Sequence, residues 1–140
     1  MDELKRFNYL VSELDNCFRE IAVQQGLADS ASKILYTLLD SNGSCFLSHI
    51  LRSTGIPKQT INSALRNLES EGILYLQQEE GRKKAVCLTE AGMDLAEKTV
   101  GQVQRIENEI LESWTEEERS LYLELTQRYL TQLRDKAKEL

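Results

Sequence analysis

The sequence predicts a mainly α-helical fold that includes one small β-hairpin. Two observations carry this prediction. Apolar residues recur every three or four positions over most of the 140-residue chain, which is the period of an α-helix. Between residues 73 and 88 that period gives way to short β-prone runs, which flank a glycine suited to a tight turn. We therefore expect six helices and a two-stranded ribbon.

The first two predicted helices follow from the spacing of their apolar residues. The first ends near Gly26. Asp29 or Ser30 is expected to cap the second, which stops at Asn42 and Gly43. Their apolar stripes comprise Leu4, Phe7, Val11, Leu14, Phe18 and Ile21 in the first helix, and Ile34, Leu35, Leu38 and Leu39 in the second.

The next two helices lie on either side of Gly55. Ser44 is expected to cap a short third helix. Pro57, the only proline, suits the first turn of a fourth helix because a residue there needs no N–H partner. This helix should continue to Glu71, before Gly72 ends it. Its core-facing residues would be Ile61, Leu65 and Leu68.

Two further helices are expected after the hairpin. Thr89 should cap a long helix that reaches about Ser113, and residues 115–118 read T-E-E-E, a capping box for the last helix. The first helix and the last two carry apolar stripes that a single small chain has little core to cover. We therefore expect two chains to pair through them about a two-fold axis. The alternative is that these helices pack within one chain.

Charge is separated along the sequence. Residues 44–89 contain six basic and four acidic residues, a net charge of +2, whereas the rest of the chain contains 11 basic and 19 acidic residues, a net charge of −8. A charged partner responds to the local surface rather than to the total of −6. The central segment is therefore compatible with an anionic partner.

Several classes of function lack the residues that they need. The chain has one histidine, His49, and three widely spaced cysteines that match neither a disulfide framework nor a zinc site. It has no recognisable pair of catalytic carboxylates, glycine-rich phosphate loop or nucleophile elbow, so the sequence indicates no enzyme and no cofactor or metal. It also lacks a long apolar run and a signal-peptide pattern at its start. We expect a cytoplasmic protein with no membrane partner.

The third and fourth helices, with Gly55 between them, form a predicted helix-turn-helix, and the hairpin that follows makes it a winged helix. The outward face of the fourth helix is polar and comprises Lys58, Gln59, Thr60, Asn62, Ser63 and Arg66. In a DNA major groove, arginine binds guanine and Asn or Gln binds adenine, while lysine and hydroxyl groups more often contact phosphate. The pattern therefore predicts a DNA-reading helix. A merely solvated polar face is the alternative, and a protein-interaction module would favour a more apolar one.

Two segments carry a more specific pattern, LRNLESEGIL (65–74) and EGRKKAVCLTEAG (80–92). They contain Leu68-Glu69, Gly72, the wing pair Glu80-x-Arg82 and the sequence L-T-x-x-G at 88–92. With these residues the chain resembles the MarR (multiple antibiotic resistance regulator) family of transcriptional regulators. The resemblance implies a winged helix-turn-helix DNA-binding lobe of residues 29–89. It assigns residues 1–28 and 90–140 to a helical dimerisation region.

The resemblance also implies roles for single residues. The fourth helix would enter the major groove of double-stranded DNA, and Arg82 would enter the minor groove, held in place by Glu80. Glu80 stands where the family usually has aspartate, and Leu76 where many relatives have a basic residue. We therefore expect Lys83 and Lys84 to carry part of the wing's phosphate contacts, although an ordinary charged turn is the alternative.

The implied function is that of a homodimeric repressor. Each chain would bind one half of a pseudo-palindromic operator. In the family a small molecule, often aromatic or phenolic, binds between the dimerisation helices and the DNA-binding lobe, and the resemblance implies the same effector control here. Trp114, Tyr122 and Tyr129 would line such a pocket or, as is more usual for aromatic residues, pack helices together.

Cys17 supports an alternative regulator of the same fold. Some MarR-like proteins sense peroxides through a cysteine in the first helix, where Cys17 lies. Against this, Cys17 follows Leu14 by three positions, on the flank of the apolar stripe, where a cysteine usually acts as a small apolar residue. Tyrosines near the second helix support the thiolate in those relatives, and this chain offers Tyr36 alone there.

Overall fold

The structure, a computed structural model, describes residues 2–79, 81 and 83–140. Over this part of the chain it contains seven α-helices and one three-stranded sheet. In chain order these are α1 (Asp2–Gln24), α2 (Asp29–Asp40), β1 (Ser44–Phe46), α3 (Leu47–Thr54), α4 (Lys58–Ser70), β2 (Leu74–Gln78), β3 (Lys84–Leu88), α5 (Glu90–Lys98), α6 (Val100–Glu112) and α7 (Glu116–Ala137). The predicted mainly helical fold with a small β-ribbon is confirmed, but six helices and a two-stranded ribbon are wrong. The chain forms two compact units, residues 1–102 and 103–140.

The sheet has the order β1-β3-β2, and both pairings are antiparallel. Its third strand comes from a segment predicted as the start of a helix. Ser44 begins β1 opposite Cys87 instead of capping α3, and Phe46 is the N-cap residue, with an extended backbone and no side-chain cap. Pairing with β3, some 40 residues away in the chain, therefore prevails over the local capping signal.

The predicted long helix after the hairpin forms two helices, α5 and α6, because the helical backbone is interrupted at Thr99. This buried residue has φ −111° and ψ −89°, outside the helical region. Its hydroxyl donates to the carbonyl of Leu95 at 2.7 Å, and its own carbonyl accepts from the side chain of Gln25 at 2.9 Å. The tertiary bond from Gln25 stabilises the break, although the apolar spacing continues through it.

The predicted helix caps are partly confirmed. Thr89 caps α5, since its hydroxyl accepts from the N–H of Gly92 at 3.0 Å. The cap of α2 is Ala28 rather than Asp29 or Ser30. The carboxylate of Asp29 pairs instead with Lys33, one turn along the helix, at 3.2 Å.

The first unit is built around α2, whose residues Ile34, Leu35 and Leu38 are fully buried. One cluster joins α2 to α3, α4 and the sheet, and its buried residues are Ile34, Leu38, Ile50, Ile61, Ala64, Leu65, Leu68, Leu74 and Val86. A second cluster joins Leu35 to Ala96 and Val100. These contacts fix α4 and the hairpin to one frame and leave their other sides free for solvent or a ligand.

In the second unit, the predicted capping box of the last helix is confirmed. The hydroxyl of Thr115 accepts from the N–H of Glu118 at 3.1 Å, and the carboxylate of Glu118 accepts from the N–H of Thr115 at 2.8 Å. The rings of Trp114 and Tyr122 pack edge to face, with centroids 5.3 Å apart. Among the described residues, no helix is both long enough and apolar enough to cross a membrane.

Candidate nucleic-acid interface

Helices α3 and α4 are joined by a short turn that depends on Gly55. This residue ends α3 with φ 64°, a left-handed conformation that costs glycine little. Thr54 stabilises the turn, because its hydroxyl donates to Ile50 at 2.8 Å and accepts from the N–H of Ile56 at 3.3 Å. Pro57 then leads into α4 with an extended backbone, at the N-cap position. The turn is that of a helix-turn-helix.

The two sides of α4 differ in polarity. Its core-facing side carries the predicted residues Ile61, Leu65 and Leu68 together with Ala64, all buried. The other side carries Lys58, Gln59, Thr60, Ser63 and Arg66, all exposed, and the half-buried Asn62. A guanidinium nitrogen of Arg66 lies 3.4 Å from the hydroxyl of Ser63. All six residues of the predicted reading face are thus available to a ligand.

The wing is the hairpin formed by β2, β3 and the turn between them. Its turn closes where the N–H of Glu79 donates to the carbonyl of Lys83 at 2.8 Å. Lys83 forms this closure and Lys84 follows it, and both are exposed. Glu80 and Arg82, for which the sequence predicts a paired role at the wing tip, lie outside the described residues.

A groove of about 530 Å³ brings residues of α3, α4 and the wing together. Its lining combines apolar and cationic residues. The described lining residues are Phe46, Leu47, Ser48, Leu51, Lys58, Asn62, Lys83 and Lys84, and no carboxylate is among them. Three lysines from two distant segments of the sequence therefore line one depression. The groove favours an anionic ligand.

The groove unites only part of the predicted site. Lys58 and Asn62 from α4 meet Lys83 and Lys84 from the wing, whereas the other four predicted residues of α4 continue along the exposed face of the helix beyond it. Sequence reasoning missed Phe46, whose ring centroid lies 5.3 Å from the Lys83 ammonium. No local sequence signal predicts this contact, because the contact requires β1 to pair with β3.

Thr89 anchors the base of the wing to the end of α4. Its hydroxyl donates to the carbonyl of Gly72 at 2.6 Å, and its N–H donates to that of Ile73 at 3.0 Å. Gly92 lies so close to Ile73 that a Cβ at this position would collide with the Ile73 carbonyl oxygen. The L-T-x-x-G pattern thus holds α4, the wing and α5 at one point.

The three cysteines are free and lie in different environments. Cys17 is exposed on α1, Cys45 is half-buried in β1, and Cys87 is buried in β3. Burial raises the pKa of the Cys45 thiol, although a hydrogen bond with Ser41 opposes the shift. A raised thiol pKa leaves less thiolate near neutral pH, which makes Cys45 a poor redox sensor.

A helix-turn-helix followed directly by a β-ribbon defines the class of winged-helix proteins. The comparisons with known proteins narrow this class. Residues 25–85 match the model of the MarR family. This segment is therefore similar to the MarR family, and the resemblance predicted from the sequence is confirmed. Among curated proteins, none matches the chain.

Solved structures extend the likeness beyond the lobe. A MarR family regulator from Neisseria meningitidis is 25% identical, with a TM-score of 0.79 over 98% of this chain and 96% of that chain. MepR from S. aureus, solved as a DNA complex, is 20% identical, with a TM-score of 0.69 over 92% and 96%. BpsR from Bordetella bronchiseptica, whose DNA binding is regulated by 6-hydroxynicotinic acid, is 22% identical, with a TM-score of 0.65 over 89% and 98%. The last two show the fold alone.

Proposed function

We propose that the chain is a sequence-specific transcriptional regulator that binds double-stranded DNA as a homodimer. The observation that carries this proposal is the groove at which Lys58 and Asn62 of α4 meet Lys83 and Lys84 of the wing. A helix face with amide, hydroxyl and cationic groups suits base edges, and the ammonium groups beside it suit the phosphates that flank them. The negative total charge does not oppose this binding, because the cations are concentrated locally.

In the proposed complex α4 lies in the major groove. Arg66 and Gln59 are the candidates for base contacts, since a guanidinium binds guanine and an amide binds adenine with paired hydrogen bonds. Lys58, Thr60 and Ser63 are the candidates for phosphate contacts. The wing lies beside the helix, with Lys83 and Lys84 as the candidates for backbone contacts and Arg82 as the candidate for a minor-groove contact.

Dimerisation is proposed because the terminal helices leave large apolar side chains uncovered in a single chain. In α1, Leu4, Phe7, Leu10, Val11, Leu14 and Phe18 are all exposed, and Ala22 is its one buried residue. In α7 no described residue is buried, although the helix carries five leucines and two tyrosines. Apolar surface of this extent marks an interface. Two-fold pairing would place two α4 helices in successive major grooves, roughly 10 base pairs apart.

The regulator is proposed to be a repressor that a small aromatic or phenolic ligand releases from DNA. Support comes from relatives of the same fold, one solved on DNA and one whose DNA binding responds to 6-hydroxynicotinic acid. A ligand shifts operator affinity only by as much as it prefers one arrangement of the two lobes over the other. The alternative within this fold is a peroxide-responsive regulator, which the exposure of Cys17 favours.

The proposal is tested by selecting binding sites from a random duplex library and measuring fluorescence anisotropy on the enriched sequence. A scrambled duplex of equal length and composition serves as the control, and both are titrated over a salt series. We expect selective binding that weakens steeply with salt, because phosphate contacts release counterions. Failure to enrich any sequence, or equal affinity for both duplexes, would contradict a sequence-specific regulator.

A further inference from the structure

We infer that Phe46 is a positioning residue of the proposed DNA interface, whose ring holds the Lys83 ammonium at the groove shared by α4 and the wing. The inference rests on the proposed function and adds a residue that lies outside both the helix-turn-helix face and the wing turn. Phe46 reads neither base nor phosphate. Its ring restrains Lys83, which contacts phosphate in the proposed complex.

The register of the sheet explains how the two residues meet. Phe46 pairs with Ala85, so both side chains lie on the same side of the sheet. Lys83 precedes Ala85 by two positions, and side chains two positions apart in a strand share a face. The bond between Glu79 and Lys83 continues the pairing of β2 and β3 beyond Lys84. Lys83 is thereby directed over the Phe46 ring.

The contact has the geometry of a cation–π interaction. The Lys83 nitrogen lies 5.3 Å from the ring centroid, within the roughly 6 Å at which the ring quadrupole attracts a cation. Phe46 is 42% exposed, so its ring is accessible from solvent and does not belong to the buried core. Both residues line the groove that also carries Lys58 and Lys84. The ring therefore restrains one of three ammonium groups that share a depression.

An aromatic ring suits this task better than a carboxylate would. The ion pairs among the described residues do not include Lys83. A carboxylate would neutralise the ammonium and compete with phosphate, whereas a ring restrains the cation and leaves its charge available. Restraining a flexible lysine before binding lowers the entropy that it loses on contact with phosphate. Phe46 should thus strengthen DNA binding without touching the DNA.

The test is a double-mutant cycle on the selected duplex. Phe46→Leu keeps an apolar side chain and removes the ring, and we expect about a 2- to 5-fold loss of affinity. Phe46→Tyr keeps the ring and should bind like the wild type. In a Lys83→Gln background, Phe46→Leu should have no further effect, because the cation that the ring restrains is gone. Equal losses in both backgrounds, or no loss in Phe46→Leu, would overturn the inference.

A matched control and a second measurement separate this inference from the proposed function. Tyr75 is another exposed aromatic residue of the sheet that does not line the groove, so Tyr75→Leu should leave DNA affinity unchanged. In the protein without DNA, the ε-methylene protons of Lys83 should resonate upfield through the ring current of Phe46, and the shift should vanish in Phe46→Leu. Absence of the shift overturns the inference whatever the DNA result. A normal shift in a protein that binds no duplex overturns the proposed function, and with it the role of Phe46 at a DNA interface.

Discussion

Helices α4 and α7 differ in how much of their apolar surface they bury within one chain. Over 13 residues α4 buries all of its isoleucine, leucine and alanine side chains in the core of the lobe and presents a polar, cationic face outward. Over 22 residues α7 buries none of its described residues and exposes apolar side chains along its length, namely Leu121, Tyr122, Leu123, Leu125, Tyr129, Leu130 and Leu133. Helix α4 is therefore complete within one chain, whereas α7 has an apolar surface that a second chain would cover.

This difference separates two tasks. The outward face of α4 need not contribute to folding, because the inward face already fixes the helix, and its residues are free to serve a ligand. The apolar surface of α7 cannot remain in water without cost, since full burial of one exposed side chain of this size contributes about 1.5–3 kcal/mol.

The largest effect is expected in the core of the lobe. Ile61 is 0% exposed, so Ile61→Ala leaves a cavity and should lower the free energy of unfolding by about 2–5 kcal/mol. The control is Gln59→Ala, an exposed change on the same helix, for which a change within about 0.5 kcal/mol is expected. Urea denaturation followed by circular dichroism measures both. Equal stabilities of the two variants would show that α4 does not hold the lobe together.

The second effect concerns α7. Leu133 is 55% exposed in one chain, so Leu133→Glu should hardly alter a monomer. At a dimer interface, however, it buries a charge and should raise the dimer dissociation constant at least about tenfold. Thr131→Glu, which adds the same charge on the polar side of α7, should leave the dimer intact. Sedimentation equilibrium decides between the outcomes, and unchanged association of Leu133→Glu argues against pairing through α7.

The third effect isolates the outward face of α4. Arg66→Ala should weaken binding to the selected duplex by about 1–3 kcal/mol and relax specificity at one base position, while the thermal midpoint stays near that of the wild type. Arg128→Ala removes the same charge from α7 and controls for total charge. If Arg66→Ala binds as tightly as the wild type, the assignment of Arg66 as a base contact is wrong.

A smaller and more uniform effect is expected from the wing. Lys84 lines the groove and is proposed to contact phosphate, so Lys84→Ala should weaken binding to all duplexes alike and reduce the salt slope by about 1. The slope of log affinity against log salt concentration is the quantity to measure. A change in sequence preference would instead indicate that Lys84 reaches a base.

The smallest effect is expected from oxidation. If a small ligand controls the protein, treatment with a hydroperoxide should leave operator affinity unchanged in the wild type and in Cys17→Ser. Cys45 should stay largely protonated, because burial raises its thiol pKa, and so should react slowly with a thiolate-directed reagent. Loss of affinity in the wild type alone would establish the peroxide-sensing alternative.

Local patterns in the sequence predict much of the lobe and its candidate site. The spacing of Ile61, Leu65 and Leu68 predicts the buried side of α4, and the threonines at 89 and 115 predict two helix caps, because each of these signals acts within one or two turns. The strand β1 and the break at Thr99 escape prediction, because each depends on a partner distant in sequence. Helical spacing continues unchanged through Thr99, so periodicity alone cannot detect the break.

The same distinction applies within the candidate site. Lys58 and Asn62 are predictable as outward residues of one helix, and Lys83 and Lys84 as cations of one turn. Their convergence on a single groove depends on packing α4 and the sheet around α2, and the contribution of Phe46 depends on strand register. Sequence patterns thus identify the groups that contact DNA in the proposed complex, but not the group that positions one of them.

The stoichiometry of the DNA complex shows whether two chains bind one site together. Sedimentation velocity would follow the wild type on a duplex that carries the whole selected site and on one cut to a single half-site. If each lobe binds DNA and the terminal helices pair two lobes, we expect two chains on the whole site. Binding to the half-site should then be much weaker. One chain on each duplex, with equal affinity for both, would contradict a regulator that pairs its DNA-binding lobes through the terminal helices.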